Sequence, residues 1–150
     1  MILSAQSIRT RGIFTPFHER TKAFGMTFGL GPAGYDVRIA EDVSIAPGSA
    51  TLASTLEHFN MPTDLLGKVA DKSTWARKFL AVQNTIIEPG WRGHLTLELS
   101  NHGDAVIYIC KGTPIAQIIF HLLDQPTEHP YSGKYQDQVA GAVDAIFEQA

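Results

Sequence analysis

Along most of the chain, short runs of alternating apolar and polar residues are separated by turn-forming residues. The clearest run is "GHLTLELSN", residues 93–101, where Leu95, Leu97 and Leu99 alternate with His94, Thr96, Glu98 and Ser100. A period of two marks a half-buried strand, with one face on the core and the other presenting polar groups. Further strand candidates are "YDVRIA", "SATLASTLEHF", "LLGKVAD", "FLAVQNTII", "AVIYICKG" and "PIAQIIFHLL". Between them stand "APGS", "MPTD", "EPGWRG", "NHGD" and "KGTP", where Pro, Gly, Asn and Asp favour turns. Six or seven short strands with regular turns predict an all-β sandwich or barrel.

Two places break toward helix. Ser4 is suited to cap a short helix that Gly12 stops, and "STWARKF" predicts a single helical turn. The stretch from Phe14 to Gly34, rich in Gly, Pro and aromatics, reads as an irregular, loop-rich entry. Residues 126–150 are polar, carry Gly and Pro, and lack a periodic apolar face. Such a segment is either disordered or closes over something.

Length and charge narrow the classes. With 150 residues the chain makes one domain, long enough to bury roughly 70% of its unfolded surface. Its 12 Lys and Arg against 15 Asp and Glu argue against a general nucleic-acid-binding surface. The N-terminus lacks the apolar core of a signal peptide, and no stretch reaches the roughly 18 apolar residues of a membrane span. A soluble, cytoplasmic chain is the expectation. The single cysteine, Cys110, rules out an internal disulfide framework. Its place in "AVIYICKG" reads as a buried core thiol.

Candidate chemistry is concentrated between Asp71 and Asn101. Six scattered histidines show no zinc-site spacing, and the zinc deaminase signature is absent. No nucleophile elbow surrounds Ser73. "DKSTWAR" offers hydroxyls, helix-turn amides and the cations Lys72 and Arg77, a set that suits phosphate oxygens. Taken alone, it reads first as a solvated charged turn. Glu98 is the sharper signal, because a carboxylate between Leu97 and Leu99 costs several kcal/mol if buried unpaired. Either it pairs with a cation such as Arg77, or it lines a cavity where a raised pKa suits proton transfer.

Five ordered motifs then carry a family resemblance over nearly the whole length. "PFHER" followed by "FGLGPAGYDVRIA", then "DKSTWAR", "IIEPGWRGHLTLELSNHG", "GTPIAQIIF" and "PYSGKYQDQ" resemble the dCTP deaminase branch of the deoxyuridine triphosphatase superfamily. That resemblance implies a dUTPase-like distorted β-barrel or jelly-roll with one or two short helices, assembled as a homotrimer with sites between subunits. It implies that Lys72, Ser73, Thr74 and Arg77 hold the triphosphate, with Mg²⁺ bridging the phosphates and no zinc. It assigns Glu88, Trp91, Thr96 and Leu97 to sugar and base, and Glu98 to catalysis. Tyr131, Lys134 and Gln138 match lid residues, which divides the chain into a nucleotide-binding body, 1–125, and a flexible lid, 126–150. Asp71 stands where the family has glycine, and either faces the triphosphate, pairs with Lys72 or faces a metal.

The implied activity is zinc-independent deamination of dCTP to dUTP and ammonia, in pyrimidine deoxynucleotide supply. Two rivals remain. One is a deoxyuridine triphosphatase, alone or combined with deamination, since Glu88 and Trp91 match parts of the hydrolytic motif. The other is a catalytically silent nucleotide sensor on the same fold.

Overall fold

The computed structural model describes all of residues 1–150. In chain order the elements are α1 (Ala5–Arg9), β1 (Phe14–Thr15), β2 (Thr21–Ala23), β3 (Met26–Gly31), β4 (Gly34–Arg38) and β5 (Val43–Ile45). Then follow β6 (Ala50–Asn60), β7 (Leu65–Asp71), α2 (Ser73–Ala76), β8 (Leu80–Val82), β9 (Ile86–Ile87), β10 (Arg92–Asn101), β11 (Ile107–Ile109) and β12 (Pro114–Leu122). The all-β expectation holds, with two short helices.

All strand pairs are antiparallel. One sheet has the order β1-β6-β10-β8, another β2-β3-β4-β12-β7-β9, and β5 pairs with β11 alone. A bridge between Ile39 and Thr55 ties the two larger sheets together. Their inner faces share one buried cluster, to which every strand except β2 contributes. At its centre Phe14 stacks on Tyr35 at 3.9 Å and meets Phe59 and Phe120 edge-on. Each such ring stabilises the fold by about 1.5–3 kcal/mol through burial. Burial also pushes the Tyr35 phenol up to about 12, while its oxygen accepts the His18 amide at 3.0 Å.

The ion pair of Arg38 with Glu57 lies inside. Glu57 on β6 is fully buried and accepts the Arg38 backbone N–H and Nε–H from β4, each at 2.8 Å. The Arg38 guanidinium also lies 4.5 Å from the centre of the Phe28 ring.

Three expectations need correction. The entry from Phe14 to Gly34 is not irregular: it holds β1, β2 and β3. The turn between β2 and β3 is Phe24-Gly25, both residues with positive φ (52° and 72°). That backbone normally shows itself as Asn-Gly or Asp-Gly, so a phenylalanine hides the hairpin from inspection. Second, "FLAVQNTII" is not one strand but β8 and β9, which join different sheets. Third, Cys110 is exposed. Ile107 and Ile109 point inward, so alternation turns Tyr108 and Cys110 out.

Candidate active site

β10 is the strand that organises the site. Leu97 and Leu99 fill the core, 1% and 0% exposed, so alternation directs Thr96 and Glu98 outward. Across the pair with β6, Thr96 lies opposite Ser54 and Glu98 opposite Leu52. The turn "IEPGWRG" brings Glu88 and Trp91 beside this face; the Trp91 amide donates to the Glu88 carbonyl at 3.1 Å, and the indole is buried.

The C-terminal segment lies over the same face. Tyr131 N–H donates to Pro89 O at 2.8 Å, and His94 N–H to Gln138 O at 2.9 Å. Trp91 Nε1–H donates to the Tyr135 carbonyl at 2.6 Å. Gly93 permits the approach, since a Cβ there would lie 2.7 Å from the Gln138 nitrogen. Further along, Val143 N–H donates to Thr96 Oγ1 at 3.1 Å, and Thr96 Oγ1–H points to Gln138 Oε1 at 3.4 Å.

Together these parts enclose a cavity of about 390 Å³, lined by Glu88, Trp91, Thr96, Glu98, Tyr131 and Gln138 among others. Nine of its fourteen lining residues are apolar, with a few polar groups among them, as is usual for a small-molecule site. Glu98 Oε2 is inaccessible to solvent and has no hydrogen-bond partner. Burial pushes the Glu98 carboxyl above its ordinary value, against a smaller opposing effect of a backbone hydrogen bond. Of the two alternatives for Glu98, the structure shows the cavity: Arg77 is not among its lining residues and Glu98 Oε2 has no partner. Glu88, at the rim, is exposed.

The phosphate motif lies elsewhere in the chain. Lys72 precedes α2, is 8% exposed, and places its Nζ 2.5 Å from Asp36 Oδ2 on β4. Ser73 and Thr74 are exposed on the first turn of α2, and the Arg77 guanidinium donates to Ser73 O at 3.1 Å. Lys72 and Ser73 border a separate polar cleft of about 270 Å³, shared with Asp36 and Asp71. Asp71 does not pair with Lys72: its carboxylate accepts the Val82 amide at 2.8 Å. No cation lines the Glu98 cavity.

The sequence-predicted residues therefore divide in two. Glu88, Trp91, Thr96, Glu98, Tyr131 and Gln138 converge, whereas Lys72, Ser73, Thr74 and Arg77 do not join them within one chain. Lys134 stands outside the cavity, its Nζ 5.3 Å from the Tyr135 ring centre. Leu97 faces the core, so its side chain is not offered to a sugar or base. Leu52, Ile86, Leu95, Tyr135 and Val143 line the cavity and were not singled out from the sequence. Leu52 and Ile86 follow from extending the alternation rule to outward apolar positions, while Val143 has no local signal.

Comparison with known proteins agrees with this geometry. Residues 35–123 match the dCTP deaminase-like family. A dCTP deaminase of Campylobacter hominis is 34% identical, with 95% of this chain and 92% of that protein aligned. One of Thermococcus sibiricus is 32% identical over 91% and 92%. Among solved structures, a dUTPase from phage phi11 of S. aureus superposes with a TM-score of 0.60 at 17% identity, covering 78% of this chain and 90% of that one. The EIAV dUTPase gives 0.56 at 24%, covering 67% and 84%. Those likenesses establish the dUTPase-like fold. By the match over most of its strands and the identity along nearly its full length, the chain belongs to the dCTP deaminase-like family.

Proposed function

We propose that this chain deaminates dCTP hydrolytically to dUTP and ammonia. The observation that carries the reading is Glu98: a carboxyl with one oxygen buried and unpartnered, raised in pKa, on the wall of a nucleotide-sized cavity. The two relatives named dCTP deaminase support the substrate. Replacing the exocyclic amine by oxygen requires that water add to C4 and ammonia leave. Glu98 as carboxylate takes a proton from the attacking water and, as carboxylic acid, delivers it to the departing amine. One group with a raised pKa can serve in both roles. Glu88, Trp91 and Thr96 are assigned to the sugar and base, Trp91 as a buried flat wall and Thr96 as a hydroxyl on the catalytic strand. For Leu97 only the backbone is left to serve.

The triphosphate is assigned to Lys72, Ser73, Thr74 and Arg77 of a neighbouring copy. Support comes from the division within one chain: a cavity with Glu98 and no cation, and a cationic helix turn with exposed hydroxyls. A homotrimer with sites between subunits joins the two halves. No group of three or more His, Cys, Asp or Glu side chains is placed to hold an ion, and Lys72 and the Val82 amide already engage Asp36 and Asp71. Mg²⁺ is therefore assigned to the phosphates, entering with the nucleotide to screen their charge. Residues 126–150 act as a lid over the body 1–125, with Tyr131, Lys134 and Gln138 as its contacts. No helix is long and apolar enough to cross a membrane, and the site is assigned to a soluble nucleotide.

A second activity, hydrolysis of dUTP to dUMP and diphosphate, is favoured by one observation: Glu88 presents a second, exposed carboxylate on the same cavity. Incubation with dCTP and with dUTP plus Mg²⁺, followed by chromatography, separates the cases. dUTP from dCTP supports deamination alone, and dUMP from both substrates supports the double activity. Nucleotide binding without product would overturn both in favour of a sensor.

A further inference from the structure

Leu52 is a large aliphatic residue at an outward position of β6. Its neighbours toward the core are Ala53 and, further along, Phe59, both fully buried, whereas Leu52 itself is 36% exposed and lies outside the buried cluster. The fold does not need leucine there. The residues of β6 facing Thr96 and Ser100 are the small side chains Ser54 and Ala50. Of the three β6 residues opposite Thr96, Glu98 and Ser100, only Leu52 is bulky and apolar; Leu56, the other outward leucine of β6, borders a different cleft.

The register makes the contact specific. Glu98 and Leu52 are direct cross-strand partners, and such residues hold their Cβ atoms about 4.5–5.5 Å apart on one face. Both line the same cavity. On the other flank of β10, the backbone meets Gln83, whose amide donates to the Glu98 carbonyl at 3.1 Å. Among the cavity's lining residues, the other titratable ones are Glu88 on the turn and Tyr131 and Tyr135 of the tail. β6 and β8 contribute none. Within one chain no cation accompanies Glu98, so the chain's own surroundings act on it through hydration. The Lys72 and Arg77 turn assigned to a neighbouring copy is the same in the parent and in every Leu52 variant.

Building on the proposed deamination, we infer that Leu52 is a positioning residue for Glu98, forming the dry wall that keeps one carboxyl oxygen out of water and holds it ready for proton transfer. An apolar neighbour removes water from the carboxyl and so favours its neutral form, the direction in which Glu98 is shifted. Replacing Leu52 by a polar residue of similar size lets water reach Oε2. The carboxyl then ionises at lower pH, and the rising limb of the rate profile moves with it.

The test uses the full-length chain labelled with carbon-13 at glutamate carboxyls, with E98Q assigning the Glu98 signal. Leu52→Asn and Leu52→Met are titrated beside the parent, and pH profiles of kcat for dCTP are recorded for all three. In Leu52→Asn the Glu98 midpoint and the acid limb of kcat both move down by about half a pH unit or more, a threefold change in protonation ratio. Leu52→Met keeps the parent values. Circular dichroism melts confirm folding, and since Leu52 is partly exposed, Leu52→Thr serves as a second polar variant. Superimposable titrations of the parent and both polar variants overturn the role of Leu52. The titration needs no turnover, so failure of the parent to deaminate dCTP would refute the functional reading and leave this comparison standing.

Discussion

Glu98→Gln is the substitution for which the structure makes two linked demands. It keeps the side-chain shape and an oxygen but removes the titrating proton. In the proposed reaction the carboxyl acts twice, on the water and on the leaving amine, and the other carboxylate in the cavity, Glu88, sits at the exposed rim. Loss of one general acid–base group costs about 10²–10⁴-fold in rate, so ammonia release from dCTP should fall by about a hundredfold or more while nucleotide binding persists. Stability should move the other way. Glu98 has its folded pKa raised by burial, so its protonated form suits the fold. The favourable contribution is complete below the unfolded carboxyl pKa and is lost as pH rises through the folded one. Glutamine carries no such loss. Glu98→Gln should melt above the parent at neutral pH, with the difference closing as pH falls into the ordinary carboxylate range. Calorimetry across that range, beside steady-state ammonia release at neutral pH, provides the assay. Near-normal deamination would remove Glu98 from the mechanism, and a pH-independent difference in Tm would refute the burial argument.

Other consequences follow from the same geometry. Mixing unfolded Glu98→Gln and Arg77→Ala chains in equal amounts and refolding them together should restore about a quarter of parental activity, the fraction of shared sites drawing one intact half from each partner; no recovery would deny the shared site. Truncation after Asp124 removes the contacts that Tyr131, Tyr135 and Gln138 make with the body. It should leave a folded oligomer with little turnover, and in the intact chain dCTP should slow proteolysis near Gly133. Equal cleavage with and without nucleotide would refute the lid. Glu57→Ala leaves the Arg38 guanidinium without its buried partner and should cost about 3–5 kcal/mol in denaturant unfolding, with a loss below about 1 kcal/mol contradicting the buried-pair assignment.

Much of this fold was readable from alternation alone, because antiparallel strands with one solvated face write a period of two into the sequence. β7 and β10 show this directly: the predicted and observed bounds agree to within a residue. What stayed hidden depended on information that is not periodic. β2 and β3 are joined by a Phe-Gly turn that lacks the Asn-Gly or Asp-Gly usual for its backbone conformation, and exposed β2 buries no apolar face. Cys110 was misplaced because an apolar run does not reveal which parity faces inward. Within the site, Glu98, Thr96 and Trp91 stood out through local chemistry and motif resemblance. The ion pair of Lys72 with Asp36 joins residues 36 apart in sequence, and Leu52 meets Glu98 only through strand register. Neither contact has a local pattern.

In the proposed reaction water replaces the amine on the base, and heavy-oxygen water reads this out. Purified protein, dCTP and Mg²⁺ are incubated in oxygen-18-enriched water, and ammonia and nucleotide products are quantified together by mass spectrometry. One ammonia is expected for each uracil nucleotide formed, with the heavy oxygen on C4 of the base. Label confined to phosphate, or nucleotide recovered unchanged without ammonia, would contradict the proposed reaction.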